Sequence, residues 1–204
     1  MEEVKELRDV LERVEGRLIA AGKLYGAMSF AVWLVVMLLY YVIVEAFIIP
    51  WQFNLIYWPG AFIAAMTFTG KVWKRIQRLG RVTGREISSS TLGGVLTGLS
   101  WGAGLILGWV VIPRMNPGVS QEASLAVGFL TFIAFSVFGM WLVFAKYSGV
   151  EREIIPSFLI PTIGVPLARG MESGAMAWAG FTVGLGFALT VLLYIHSVFR
   201  AIER

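Results

Sequence analysis

The chain has 204 residues, 57% hydrophobic and 15% charged, with a mean hydropathy of +0.75. A soluble domain is nearer about 45–50% apolar and about 25% charged, so this composition argues against an ordinary soluble fold. The net charge of +4 sits in short blocks beside long neutral runs, which points to membrane orientation rather than nucleic acid, and the absence of cysteine excludes a disulfide framework, a thiol nucleophile and a Cys-ligated metal.

Residues 1–23 read as one cytoplasmic amphipathic helix, set apart from a transmembrane domain over 24–204. Val4, Leu7, Leu11, Val14 and Leu18 follow the 3-4-3-4 spacing of a coiled-coil seam. Asp9 and Arg13 form an acid-first i,i+4 pair. A helix lying on anionic lipid carries a basic polar face, whereas here six acids stand against five bases. The balance favours a protein surface: the chain's own loops, a second copy or a cytoplasmic partner. The segment is too long and too acidic for the n-region of a signal peptide. Gly16, Gly22 and Gly26 offer places for the helix to bend.

Leu24–Val44 is the first expected span, about 30 Å as a helix. Tyr40, Tyr41, Trp51, Tyr57 and Trp58 form an aromatic belt around its far end and the turn at Pro50. The second span lies within Phe53–Gly70, with a kink expected at Pro59-Gly60. Lys71–Arg85 is the most basic stretch, and its first half keeps the helical spacing of Val72, Ile76 and Leu79.

Ile87–Pro113, the third span, is free of charge and rich in glycine. Gly94, Gly98 and Gly102 share one helix face; Ser100, Gly104 and Gly108 share another. Helices in lipid associate through close backbone approach, so two small-residue faces predict a central helix packed from both sides. Asn116-Pro117-Gly118 marks the turn to the fourth span, Ala123–Ala145. Ile154–Ala168 has only 15 residues and carries Pro156, Pro161 and Pro166, so it is either a short broken span or a re-entrant segment. Ser173–Phe199 is the last span, with Gly180 and Gly184 on one face.

The fold expected is therefore all-α: a polytopic membrane helix bundle of six transmembrane segments arranged as three hairpins, preceded by the amphipathic helix. With six spans, only Arg114 and Arg169 of the Lys and Arg residues fall on one side, which predicts a multi-pass cell-membrane protein with both termini cytoplasmic.

Glu45 adjoins a hydrophobic span with no basic residue nearby in sequence. Together with Gln52, Asn54, Arg114, Arg169 and Glu172 it defines a candidate polar site at the outer surface, since ionisable groups at membrane depth mark function. The competing reading is an ordinary interfacial carboxylate in water, or a structural pair with Arg114 or Arg169. His196 is the sole histidine, so no multi-histidine metal site is expected, and no cofactor. Glu172-Ser173-Gly174-Ala175 touches the Ser-Gly signature of intramembrane serine proteases. His196 lies 23 residues further along the same helix, about 34 Å from Ser173, out of reach of a Ser–His pair. No enzymatic activity is expected.

Two functions fit. In size, span number and cytoplasmic termini the chain is similar to the substrate-binding subunits of energy-coupling-factor transporters. That resemblance implies a small-solute transport or binding subunit working with a partner chain, and the proline-broken fifth segment agrees with it. The alternative is a non-transporting membrane anchor, assembly factor or regulator holding a cytoplasmic protein through residues 1–23.

Overall fold

In the computed structural model, residues 2–82, 91–115, 118–147 and 149–203 are described, their side chains excepting 2, 3, 7–9, 45, 79, 80 and 82. Among the described residues 90% are helical, and no strand occurs. The elements are α1 (Glu2–Ala46), α2 (Phe53–Val82), α3 (Thr91–Ile106) with a π-helical turn (Leu107–Val111), α4 (Ile112–Met115), α5 (Gln121–Tyr147), a 3₁₀ turn (Arg152–Ile154), α6 (Ile155–Arg169) and α7 (Ala175–Ile202). Among the described residues, four helical stretches are long and apolar enough to cross a membrane: Val4–Val44, Thr91–Met115, Gln121–Tyr147 and Ala175–Ile202. An all-helical, multi-pass membrane protein is compatible with them.

Glycines do not break α1. It runs through Gly16, Gly22 and Gly26 as one 45-residue helix, about 67 Å long, so no hinge separates residues 1–23 from the first span. The reason lies in packing. A Cβ at Gly16 would stand 2.6 Å from the Ala201 carbonyl oxygen, and one at Gly26 would stand 2.7 Å from the Tyr194 ring. These glycines are points where α7 comes close, and that contact offsets the roughly 1 kcal/mol helix penalty of each.

The chain divides into two units. The first comprises Met1–Val36, Phe47–Ser88 and Val191–Arg204. Aromatic rings join its helices. Tyr25 meets Trp73 at 5.3 Å between centroids, Trp33 meets Phe62 at 6.1 Å, and Phe30 stacks on Tyr194 at 6.3 Å. Tyr57 donates its hydroxyl to the Val36 carbonyl. The rising numbers on α1 meet falling numbers on α2 and α7, so both pairs are antiparallel. As the spacing of Val72 and Ile76 predicts, α2 continues past Gly70, and Ile76 is buried.

The second unit comprises Met37–Ala46 and Ser89–Thr190. Here α3 packs antiparallel on α5 through small residues. Gly104 lies against Ser136, Gly108 against the Gly128 carbonyl and Phe132, and Ser100 against Gly139, with the Ser100 hydroxyl donating to the Ser136 carbonyl at 3.0 Å. The opposite side of α5 meets α6, where Phe138, Trp141 and Phe158 form a ring cluster. The helix packed from two sides is thus α5 rather than α3, a correction to the expected central helix. Only the Ser100–Gly104–Gly108 face of α3 is packed. A Cβ at Gly94, Gly98 or Gly102 would meet no heavy atom within 4 Å among the described residues.

The π turn has a local cause. Pro113 has no N–H to donate, and its ring would crowd the carbonyl four residues back. One extra residue in the turn relieves this, and the Ile112 N–H reaches back to the Leu107 carbonyl.

Despite its prolines, α6 is a single helix. It starts where the Trp141 indole donates to the Glu151 carbonyl, near the Tyr147 end of α5. Its far connection reaches the Gln121 end, where the Ser120 hydroxyl donates to the Met171 carbonyl at 3.4 Å. The stretch from Glu151 to Met171 therefore runs antiparallel to α5 from the level of Trp141 to that of Ser120, without doubling back. α7 then returns antiparallel to α6, with a Cβ at Gly186 only 2.8 Å from the Pro156 carbonyl oxygen.

Candidate functional site

The residues expected to form the polar site are divided between the two units, and each set is described within its own unit. Asn54 belongs to the first unit and is occupied locally: its amide donates to the Trp51 carbonyl at 3.0 Å, and its oxygen accepts from the Trp58 indole at 3.2 Å. It fastens the turn into α2. Arg114, Arg169 and Glu172 belong to the second unit and are exposed, and among the described residues no hydrogen bond or ion pair links them. The Glu45 side chain lies outside the described residues. Gln52 and His196 are exposed.

The acid with a defined role in the second unit is Glu122. One of its carboxylate oxygens accepts the Gly174 N–H at 3.3 Å and the other accepts the Met176 N–H at 3.1 Å. Those donors open α7, where backbone N–H groups have no partner within the helix and the helix dipole favours negative charge. Gly174 has φ +75, a left-handed conformation that glycine adopts without strain, and this turns its N–H toward the carboxylate. Around the same point Ser120 caps α5 by accepting the Ala123 N–H at 3.1 Å, and Tyr41 donates to the Met176 carbonyl at 3.3 Å. Chemically this is a clamp joining the Gln121 end of α5 to the start of α7. In the sequence Glu122 reads only as an acid in the first turn of its own helix; a partner some 50 residues away leaves no local mark.

A second feature lies in the first unit. A cleft of about 310 Å³ opens between α1 and the end of α7, lined by Glu12, Arg13, Gly16, Arg17, Ala201, Ile202 and Glu203. The expected seam divides at this level. Val14 and Leu18 are half-buried, whereas Leu11 is 60% and Val4 72% exposed. The Leu7 side chain lies outside the described residues. Val10, outside the seam, is 50% exposed.

Polar groups inside the second unit are hydroxyls. Ser136, Ser157, Thr182 and Thr190 are buried; Ser157 donates to the Ile154 carbonyl in the 3₁₀ turn before α6, Thr182 donates to the Trp178 carbonyl of its own helix, and the Ser136 and Thr190 hydroxyls have no partner among the described residues. No group of His, Asp or Glu suited to a metal ion occurs among the described residues. The glycines expected to pack fall into distinct sets. Gly104 and Gly108 seat α5, Gly180 seats the Tyr41 ring, and Gly184 is half-buried.

Compared with known proteins, the chain matches no family model, no curated protein and no solved structure.

Proposed function

We propose that the chain is a membrane-embedded docking protein: six crossings arranged as three antiparallel hairpins, both termini in the cytoplasm, with the start of α1 holding a partner outside the bilayer. The reading assigns it no catalytic step. One observation carries it. α1 is about 67 Å long where a bilayer core needs about 30 Å, so its leading turns project beyond the lipid as a rigid continuation of the first crossing. Val4, Val10 and Leu11 are exposed there. Covering one such side chain is worth about 1.5–3 kcal/mol, which favours a protein surface over water.

The transport reading receives less support. At Gly104, Gly108 and Gly186 the helices of the second unit approach to backbone contact, and at Gly164 the Thr182 side chain closes in, which leaves little space between these helices for a solute. The buried hydroxyls suit interhelical packing as well as they would suit a ligand.

The test is in-membrane crosslinking and co-purification of the full chain, comparing wild type with Val4→Asp/Leu11→Asp. A specific band, either a second copy or another protein, should disappear while the monomer stays folded, because neither position touches the bundle. An unchanged pattern would defeat the docking reading. Solute uptake by the chain in liposomes would restore the transport reading.

A further inference from the structure

α2 carries a charged surface that the docking reading leaves unused. Beyond Gly70 the helix continues for three turns, and Lys71, Lys74, Arg75, Arg78 and Arg81 recur at i, i+3, i+4, i+7 and i+10. At 100° per residue they fall within an arc of about 120°. The opposite arc is the packed one: Val72 is half-buried, Ile76 is buried, and the Trp73 ring lies 5.3 Å from Tyr25. All five cations are exposed, and none has a hydrogen bond or ion pair among the described residues. α2 contains no Asp or Glu to neutralise them.

We propose that this stripe binds the headgroups of anionic phospholipids in the leaflet that α2 leaves. Three observations select lipid as the occupant. The stripe begins at the residue where the apolar run of α2 stops, so its first charges stand at headgroup height. Trp73 and Tyr25 pack together at that level, and aromatic side chains of this kind sit at the bilayer interface. The five exposed charges, without partners among the described residues, are held in one row by a helix whose other face is packed, so they confront a negative surface together. The effect fades along the row. Arg81 stands about 12 Å beyond Trp73 along the axis, more than a Debye length of about 8 Å at physiological salt. Lys71, Lys74 and Arg75 therefore contribute most and Arg81 least. That α2 enters the bilayer, and so that the stripe stands at a leaflet surface, rests on the six-crossing reading, as does the leaflet's being the cytoplasmic one.

Full-length protein is reconstituted in phosphatidylcholine with phosphatidylserine, extracted, and its retained lipid weighed by native mass spectrometry. The wild type should keep phosphatidylserine in preference to phosphatidylcholine, and high salt should erase the preference. Lys74→Gln/Arg75→Gln should lower it about fivefold per charge removed, Arg81→Gln less, and Lys74→Arg/Arg75→Lys not at all. Arg114→Gln/Arg169→Gln is the control for charge elsewhere. Undiminished preference in Lys74→Gln/Arg75→Gln, or equal loss in the control, would overturn the proposal, as would retention of an RNA oligonucleotide in place of the lipid. Leaflet is read separately. Arg81→Cys in intact cells should be shielded from an impermeant thiol reagent, and labelling would refute the topology while leaving the lipid measurement to stand or fall alone.

Discussion

The two units of this protein weight the same two kinds of contact differently: the second is mainly backbone approach with one ring cluster at Phe138, Trp141 and Phe158, and the first is mainly ring contact with one backbone approach, Gly16 to the Ala201 carbonyl. In the second, helices touch backbone to backbone: Gly108 meets the Gly128 carbonyl, Gly186 the Pro156 carbonyl, and hydroxyls fill what space is left. In the first, helices are spaced by rings, with Tyr25 on Trp73, Trp33 on Phe62 and Phe30 on Tyr194. Lipid tails solvate apolar side chains as well as a protein interior does, so neither unit gains from hiding them. Backbone contact gains dispersion only while nothing intrudes, so it fails abruptly when a side chain is added. Ring contact is a sum of separable pairs and should fail piecemeal when a side chain is removed.

The largest effect is expected at Gly108→Leu. Its side chain would enter the Gly128 carbonyl and the Phe132 side chain, and overpacking of this kind costs about 1–3 kcal/mol. Thermal unfolding in detergent should show it, and a wild-type midpoint would break the distinction between the units. Tyr194→Ala comes next. It removes the ring set against Phe30, Gly26 and the Lys23 ammonium at 5.7 Å. With lipid-like surroundings cancelling the transfer term, about 0.5–1.5 kcal/mol of ring contact remains to be lost. A loss beyond that of Gly108→Leu would mean that the first unit depends on close packing after all. The smallest effect belongs to Gly98→Leu, within about 0.5 kcal/mol, because an added Cβ meets open space there. If its midpoint fell with that of Gly108→Leu, something outside the described contacts would cover that face, and a dimer band in crosslinking would identify it as a second copy.

Much of the fold was legible in the residues. Neutral runs bounded by charge located the helices, because helix length and apolar content are properties of a single segment. The spacing of Val72 and Ile76 carried α2 past its apolar end for the same reason. The Ser100–Gly104–Gly108 face was readable as a packing face, yet the equally regular Gly94–Gly98–Gly102 face was not distinguishable from it. Periodicity records which residues share a side of a helix and says nothing about whether another helix lies there. The same gap explains Glu122, whose partners Gly174 and Met176 are brought to it by two intervening helical segments, the rest of α5 and α6.

Sequence by itself thus determined that this is an all-helical chain with membrane-length apolar helices, since both follow from short-range backbone geometry and the hydrophobicity of each stretch. It also determined where charge accumulates, in the Lys71–Arg81 stripe above all. Only the tertiary structure decided that, among the described residues, α5 takes neighbours on two faces and α3 on one, that α6 runs antiparallel to α5 without doubling back, and that Gly16 and Gly26 are contact points rather than hinges. Each of those depends on a residue far away in the chain, and a glycine that permits bending is identical in sequence to one that permits approach.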